Sequence, residues 1–227
     1  MAAAQDEQAW NDRQLRAPPR PAWRLWRYRE PAVVLGVGQR TLEDSTQCAP
    51  VAVLRRRAGG GAVLVGPWML GLSVALPADH PLVEDGLLPA YRWLGETVAR
   101  ALSFDGVRCH ALEPQMLPGH AAAARDWACF GSLSPWEVLC DGRKIAGLAQ
   151  VRTRDVVLLV GGVLLRRPDW ELLCLVLGQP AHEAQRLDAA TCDWQRAAQR
   201  CGGSGDGSER VAVRLRAQIA SSLRGAR

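Results

Sequence analysis

Lysine is almost absent from this chain. Of its 28 basic residues 27 are arginine, and Lys144 stands alone. Arginine covers solubility and most ion pairs, but it does not replace a compact point charge on a thin, flexible stem. The bias therefore marks Lys144 as a candidate for chemistry, the plain alternative being a chance survivor on the surface. No apolar run approaches the roughly 18 residues that span a bilayer, so a membrane partner is not expected. The N-terminal Met1-Ala2-Ala3-Ala4-Gln5-Asp6-Glu7 lacks the basic flank and apolar centre of a secretory leader, and the expected location is the cytoplasm. No two of the seven cysteines (Cys48, Cys109, Cys129, Cys140, Cys174, Cys192 and Cys201) have the C-x-x-C spacing of a zinc or redox site. They are expected to be free thiols, each by default a small buried hydrophobe, and no metal site is expected. A basic stripe with interleaved aromatics is missing too, which argues against a nucleic-acid partner. The mild net charge of +5 suits an acidic protein partner instead.

Internal repeats are absent, and so is the strict strand–helix alternation of a doubly wound sheet. What remains is an α/β mixture with hairpins, expected to form one domain over 1–227, with a core at about 5–180 and a helical tail over 181–227. A helix is expected over Asp6–Arg16, stopped by Ala17-Pro18-Pro19-Arg20-Pro21. Strands are expected at Trp23–Tyr28, Ala32–Leu35 and Val51–Leu54. Ala62–Val65 and Leu70–Leu76 read as strands paired across the Gly66-Pro67 turn. Tyr91–Leu102 carries Leu94, Val98, Ala101 and Leu102 at helical spacing. Trp136–Cys140, Ile145–Val151 and Val156–Leu165 read as successive strands. Asp141-Gly142 between two apolar runs is a hairpin signal and puts Lys144 at a strand start. Beyond Pro168 the expectation is helical, with Trp170–Leu177 and Val211–Leu223 as helices and Gly202–Ser208 as a flexible loop between them.

Three segments carry candidate chemistry. In Arg55-Arg56-Arg57-Ala58-Gly59-Gly60-Gly61-Ala62-Val63, glycines let the backbone approach a ligand and point N–H groups at an anion. The neighbouring arginines can clamp a carboxylate or phosphate. Neither a Walker loop nor a dinucleotide fingerprint is present. In Asp141-Gly142-Arg143-Lys144-Ile145-Ala146-Gly147-Leu148-Ala149-Gln150, the lysine can bind a carboxylate, neutralise a phosphoanhydride or steady an oxyanion. Gly147 and Ala149 leave room on the strand face for an acyl chain, and Gln150 can donate a hydrogen bond. In Trp127-Ala128-Cys129-Phe130-Gly131-Ser132, Cys129 is a nucleophile if nearby cations favour its thiolate, and otherwise an incidental thiol.

Taken in order, these segments resemble the signatures of the lipoate–protein ligase A and octanoyltransferase family. The resemblance is carried by Trp26-x-Tyr28, Val33-Val34-Leu35-Gly36 and Gln39, by Arg55–Val63, and by Leu70-x-x-Ser73-x-Ala75-x-Pro77. It continues through Tyr91–Gly95, Cys129-Phe130, Glu137-Val138 and Lys144–Gln150. It covers roughly residues 5 to 180 and implies the biotin-ligase catalytic fold, a mixed, largely antiparallel sheet backed by helices. It implies that Arg56, Gly61, Ala62, Val63 and Leu64 line an acyl or acyl-adenylate pocket; Gly59, Gly60, Gly147 and Gln150 are further binding candidates by their own chemistry. Lys144 would contact the acyl carbonyl and, in ligases, the adenylate phosphate. The acceptor would be a lysine of a lipoyl-domain protein.

The departures are Val65 and Val160-Gly161 where family members often carry histidines, and Arg40 in place of an asparagine. The favoured reading is an ATP- and Mg²⁺-dependent ligase for lipoate or octanoate, supported by Gly61 and served by an accessory ligase chain. The alternatives are a transferase using Cys129 and an acyl-carrier protein donor, and a non-catalytic lipoate-binding protein. Biotin ligation lacks its Gly-Arg-Gly-Arg loop.

Overall fold

A computed structural model describes residues 1–40, 42, 49–117, 126–203 and 206–226. Cys48, Arg227 and positions 204–205 of the expected Gly202–Ser208 loop lie outside the described residues.

Helix α1 (Ala4–Arg16) opens the chain. Strands β1 (Ala22–Arg27), β2 (Ala32–Leu35), β3 (Ala52–Arg55), β4 (Val63–Val65) and β5 (Met69–Pro77) follow. Then come α2 (Leu87–Leu102), β6 (Cys109–Ala111), β7 (Val138–Cys140), β8 (Arg143–Arg152) and β9 (Val156–Leu164). Four helices close the chain: α3 (Trp170–Val176), α4 (His182–Ala190), α5 (Trp194–Arg200) and α6 (Ser208–Gly225). The large sheet runs β1-β5-β9-β8-β7-β6 and is antiparallel throughout. A small sheet runs β3-β2-β4, parallel between β2 and β3 and antiparallel between β2 and β4. The mixed, largely antiparallel architecture expected from the sequence is present.

The expected pairing of Ala62–Val65 with Leu70–Leu76 is corrected. β4 pairs with β2, whereas β5 pairs with β1 and β9. The turn between them does form, with the Met69 amide donating to the Gly66 carbonyl at 2.9 Å. However, the amides of Leu165 and Arg166 both donate to the Trp68 carbonyl. That draws the turn onto the end of β9, and the chain steps from one sheet to the other.

Period-two alternation divides the large sheet into two faces. Leu70, Leu72, Val74 and Leu76 of β5 join Val157, Leu159 and Val163 of β9 in the main core, under α2, α5 and α6. The opposite face carries Gly71, Ser73 and Ala75 of β5 and is covered by α1, whose Trp10 and Leu15 pack on the cluster of Ala75, Val156 and Leu158. Helix α2 begins four residues earlier than its buried spacing suggests, because Leu87 and Leu88 are exposed and add nothing to the apolar stripe. The Asp141-Gly142 hairpin is as expected: both residues have positive φ, 50° and 72°, the conformation of a tight two-residue turn. Trp136, expected in the strand, instead has φ 67° and turns the chain just ahead of β7. No helix among the described residues is long and apolar enough to cross a membrane.

Candidate active site

A row of three glycines crosses the α1 face of the large sheet. Gly71 on β5 lies opposite Gly162 on β9, which lies opposite Gly147 on β8. Each leaves space that another side chain enters. A Cβ on Gly71 would stand 2.1 Å from the Tyr28 hydroxyl, one on Gly162 2.8 Å from the Met69 sulfur, and one on Gly147 3.2 Å from Cys129 Sγ. Above this row lies a cavity of about 690 Å³, its open mouth included, with a mainly apolar lining. Met69, Phe130, Ala149 and Val160 supply apolar wall, and Cys129 borders the space.

Cys129 sits in a single 3-10 turn, Cys129–Gly131, and is half-buried. The glycine motif holds it there. The Ala62 amide donates to the Trp127 carbonyl at 2.8 Å, and the Cys129 amide returns the bond to the Ala62 carbonyl at 2.9 Å. Gly61 makes this approach possible: a Cβ there would lie 2.6 Å from the Asp126 carbonyl oxygen and under 3 Å from the Ala128 backbone. Gln39 adds a brace, donating to the Trp127 carbonyl and accepting from the Gly36 amide.

Arg56 is turned inward. Its guanidinium donates to the carbonyls of Val34, Gly59 and Gly61 at 3.0, 2.7 and 2.8 Å. Burial pulls its pKa below the ordinary value. It borders the cavity, but it binds the glycine loop itself, where the sequence pattern suggested a clamp on a ligand anion. Arg57 pairs with Asp12 at the cavity rim.

Lys144 is buried at 2 % exposure. Its ammonium donates to the carbonyls of Cys129 at 2.5 Å and Ser132 at 2.9 Å, and pairs with Glu137 at 2.7 Å. An ammonium has three donors, so all are engaged. Glu137 also accepts from the Ser134 amide. Burial pushes the Glu137 carboxyl up, while Lys144 and the amides of Ser134 and Leu148 oppose that rise. Lys144 thus grips the Cys129 turn from behind, outside the residues that line the cavity.

The structure brings Cys129, Gly147, Arg56 and Val63 around the cavity; Gly59, Gly60, Gly61 and Ala62 build the loop behind it, and Leu64 is buried in β4. Gln150 lies elsewhere, its amide donating to the Leu87 carbonyl. Sequence reasoning missed a polar group on α1. Glu7 and Asn11 are buried and border the cavity, and the Tyr28 hydroxyl donates to Glu7 at 2.7 Å. Their only signal was spacing: Ala4, Glu7 and Asn11 fall on one helical face.

For a nucleotide, the assigned residues do not fit as they stand. Arg56 and Lys144, the cations expected to meet a phosphate, are taken up by protein carbonyls and Glu137. No group of His, Cys, Asp or Glu among the described residues could hold a metal ion.

Comparison with known proteins agrees with the resemblance seen in the sequence. Octanoyltransferase LipM of Exiguobacterium sp. is 32% identical over 156 residues, covering 66% of this chain and 56% of that protein. Octanoyltransferase LipM of Kyrpidia tusciae is 31% identical over 166 residues, covering 71% and 60%. The chain thus spans less than two thirds of the length of these relatives. Among solved structures, a bi-partite lipoate protein ligase from Thermoplasma acidophilum, described with its E2 lipoyl domain, superposes with a TM-score of 0.71. It is 18% identical, with 99% of this chain and 81% of that one covered. Lipoate-protein ligase A bound with ATP gives a TM-score of 0.68 at 19% identity, covering 96% and 79%. These two share the fold. Residues 1–198 match the lipoyl protein ligase A/B catalytic domain, and the chain belongs to that family.

Proposed function

We propose that this protein transfers a medium-chain acyl group, octanoyl or lipoyl, to a lysine of a lipoyl-domain protein, with Cys129 as the nucleophile. The observation that supports this most directly is the position of Cys129 Sγ, at the edge of an apolar cavity and above the side-chain-free Gly147. The cavity suits an alkyl chain and the thiol suits a thioester. The names of the curated relatives point the same way.

In this mechanism the Cys129 thiolate attacks the acyl carbonyl of a thioester donor such as an acyl-carrier protein. A new C–S bond forms, the donor's C–S bond breaks, and the departing donor thiol takes up the proton that Cys129 released. The acceptor lysine amine then attacks the acyl-enzyme. The amide forms, Cys129 leaves, and the amine proton returns to it. Lys144 and Glu137 hold the Cys129 turn at a fixed distance from the sheet, which keeps the sulfur over the cavity. Residues 1–227 serve as one catalytic unit in this reading, since α4 packs on the Cys129 turn and β8. Catalysis in the cytoplasm belongs to the same proposal.

A second reading, an ATP- and Mg²⁺-dependent ligase with an accessory chain, draws on the fold shared with ATP-bound lipoate-protein ligase A. In that case ATP would supply an activated acyl-adenylate, and Lys144 would have to leave Glu137 to meet it. Intact-mass analysis of a lipoyl domain distinguishes the two. Incubation with octanoyl-carrier protein and no ATP gives an octanoyl adduct, lost with Cys129→Ala, if the transferase reading holds. An adduct only with free lipoate, ATP and Mg²⁺ overturns it in favour of the ligase.

A further inference from the structure

Three of the six cysteines among the described residues meet at one place, and none of the three borders the cavity. Cys109 on β6 lies directly opposite Cys140 on β7. The Cys140 thiol is within hydrogen-bonding reach of Cys109 on one side and of Cys192 on the other. Cys192 is fixed there, its amide donating to the Lys144 carbonyl at 2.9 Å and its sulfur accepting from Arg200 at 3.4 Å. Acyl transfer at Cys129 uses none of these thiols. As packing they are small apolar groups that alanine or valine would replace, so their convergence points to sulfur chemistry.

The pairing of Cys109 with Cys140 has the geometry that chemistry needs. The Cys109 amide donates to Ser103 Oγ at 3.0 Å, and its carbonyl accepts from the same hydroxyl at 3.2 Å. Both backbone groups are therefore engaged away from β7. Three residues on, the Leu112 amide donates towards β7, to the Glu137 carbonyl at 2.8 Å, as the alternation of an antiparallel ladder requires. Cys140, for its part, pairs with Arg143 across the Asp141-Gly142 turn. Cys109 and Cys140 thus form a pair without mutual backbone bonds, the kind whose Cα atoms lie about 4.5 Å apart with side chains closest. That spacing falls inside the roughly 4.4–6.8 Å span of disulfides. The two thiols also differ in access, since Cys109 is half-buried and Cys140 is buried. The hydrogen bond with Cys109, together with burial, pushes the Cys140 thiol up to about 12, against the opposing effect of Cys192. Cys140 is therefore not the thiol that starts an exchange.

We propose that Cys109 and Cys140 form a thiol–disulfide site, closed to an intramolecular bridge by a small disulfide such as oxidised glutathione. The Cys109 sulfur attacks the small disulfide, a mixed disulfide forms, and one small thiol leaves with the Cys109 proton. The Cys140 sulfur then attacks the Cys109 sulfur, and the second small thiol leaves with the Cys140 proton. Two protein thiols are oxidised and one small disulfide is reduced. The bridge brackets the segment that carries Cys129 and Glu137, and closes it into a loop of about 30 residues. A closed loop of that size restricts the unfolded chain and stabilises the fold around the Cys129 turn. Cys192 stays reduced under Arg200.

The test is incubation of the full chain with oxidised glutathione, followed by digestion without reduction and peptide mapping by mass. The expected product links the Cys109 and Cys140 peptides, and dithiothreitol separates them. Its melting temperature should exceed that of the reduced protein by about 5 °C or more. Cys109→Ser, treated alongside, should lose both the link and the rise while keeping any glutathione on other cysteines. Cys192→Ser should keep both. Glutathione that remains on Cys109 with no link to Cys140 overturns the site, as does a Cys140–Cys192 link with Cys109 free. A Cys109–Cys140 link that leaves the melting temperature unchanged overturns the stabilising role of the bridge. Because no acyl group takes part, failure here leaves the acyl-transfer reading untouched, and failure of that reading leaves this site standing.

Discussion

The Cys129 amide donates to the Ala62 carbonyl at 2.9 Å, so the nucleophile proposed here hangs on the glycine motif. Nothing larger than hydrogen fits at Gly61, where a Cβ would press on the Asp126 and Ala128 backbone. Backbone atoms cannot swing aside as a side-chain end can. Gly61→Ala should therefore push the Cys129 turn off the sheet, costing about 2 kcal/mol of stability and at least ten-fold in acyl transfer. Gly59, with open space around it, serves as the stability control: Gly59→Ala should leave the melting temperature almost unchanged. Equal melting temperatures for the two variants would show that the close approach at Gly61 carries no constraint.

Lys144 and Glu137 should behave as a unit. Both are buried, and they pair at 2.7 Å. Removing one partner leaves the other as a buried uncompensated charge, at a cost of about 3–5 kcal/mol. Lys144→Met and Glu137→Gln should each destabilise the protein strongly. The double variant should be far less damaged than the two losses added together. Urea melts of all four proteins measure the coupling; additivity within about 0.5 kcal/mol would mean that the two do not depend on each other.

How much of this was legible in the sequence depends on the range of the forces involved. The Asp141-Gly142 turn, the apolar stripe of α2 and the breaker after Arg16 are local, and local chemistry decides them. The mispairing of β4 with β5 shows the limit. The turn at Gly66-Pro67 was correctly read, but the strand partners were fixed by β2 and by the amides of Leu165 and Arg166, distant in sequence. The site follows the same rule. Cys129, Lys144 and the glycine motif stood out by composition and by family resemblance. That Arg56 and Lys144 point into the protein, and that Glu7 and Asn11 border the cavity, depends on contacts across the fold. In the sequence Glu7 and Asn11 look like ordinary residues of a solvated helix.

Cys129 should carry the acyl group itself. Incubating the protein with an octanoyl thioester donor and no acceptor should give an acylated chain by intact mass, with the label mapping to Cys129 on digestion. Cys129→Ala should lose it and stay folded, since a half-buried thiol at a cavity edge contributes little packing. Cys140, Cys174 and Cys192 are buried, and burial raises the Cys174 thiol pKa, so they should not substitute. Label on another cysteine, with Cys129 unmodified, would remove the central element of the mechanism.

Glu7 should leave a signature in the pH dependence of stability. Burial raises its pKa from an ordinary 4.5 to about 7, against the opposing effects of Tyr28 and Arg56. Between those values the folded protein keeps a proton on Glu7 that the unfolded chain has released. Stability then falls as pH rises, because the native state holds more protons than the unfolded one. The contribution is fully present below pH 4.5 and is lost by a little above pH 7, amounting to about 3 kcal/mol across the window. Glu7→Gln removes the titrating group and keeps an acceptor for the Tyr28 hydroxyl. It should flatten this limb of the stability curve and raise the melting temperature at pH 8 relative to the unmodified protein. Parallel curves for the two proteins between pH 4.5 and 8 would mean that Glu7 ionises as freely in the fold as in water. The carboxyl beside Asn11 would then face the cavity as an anion throughout that range.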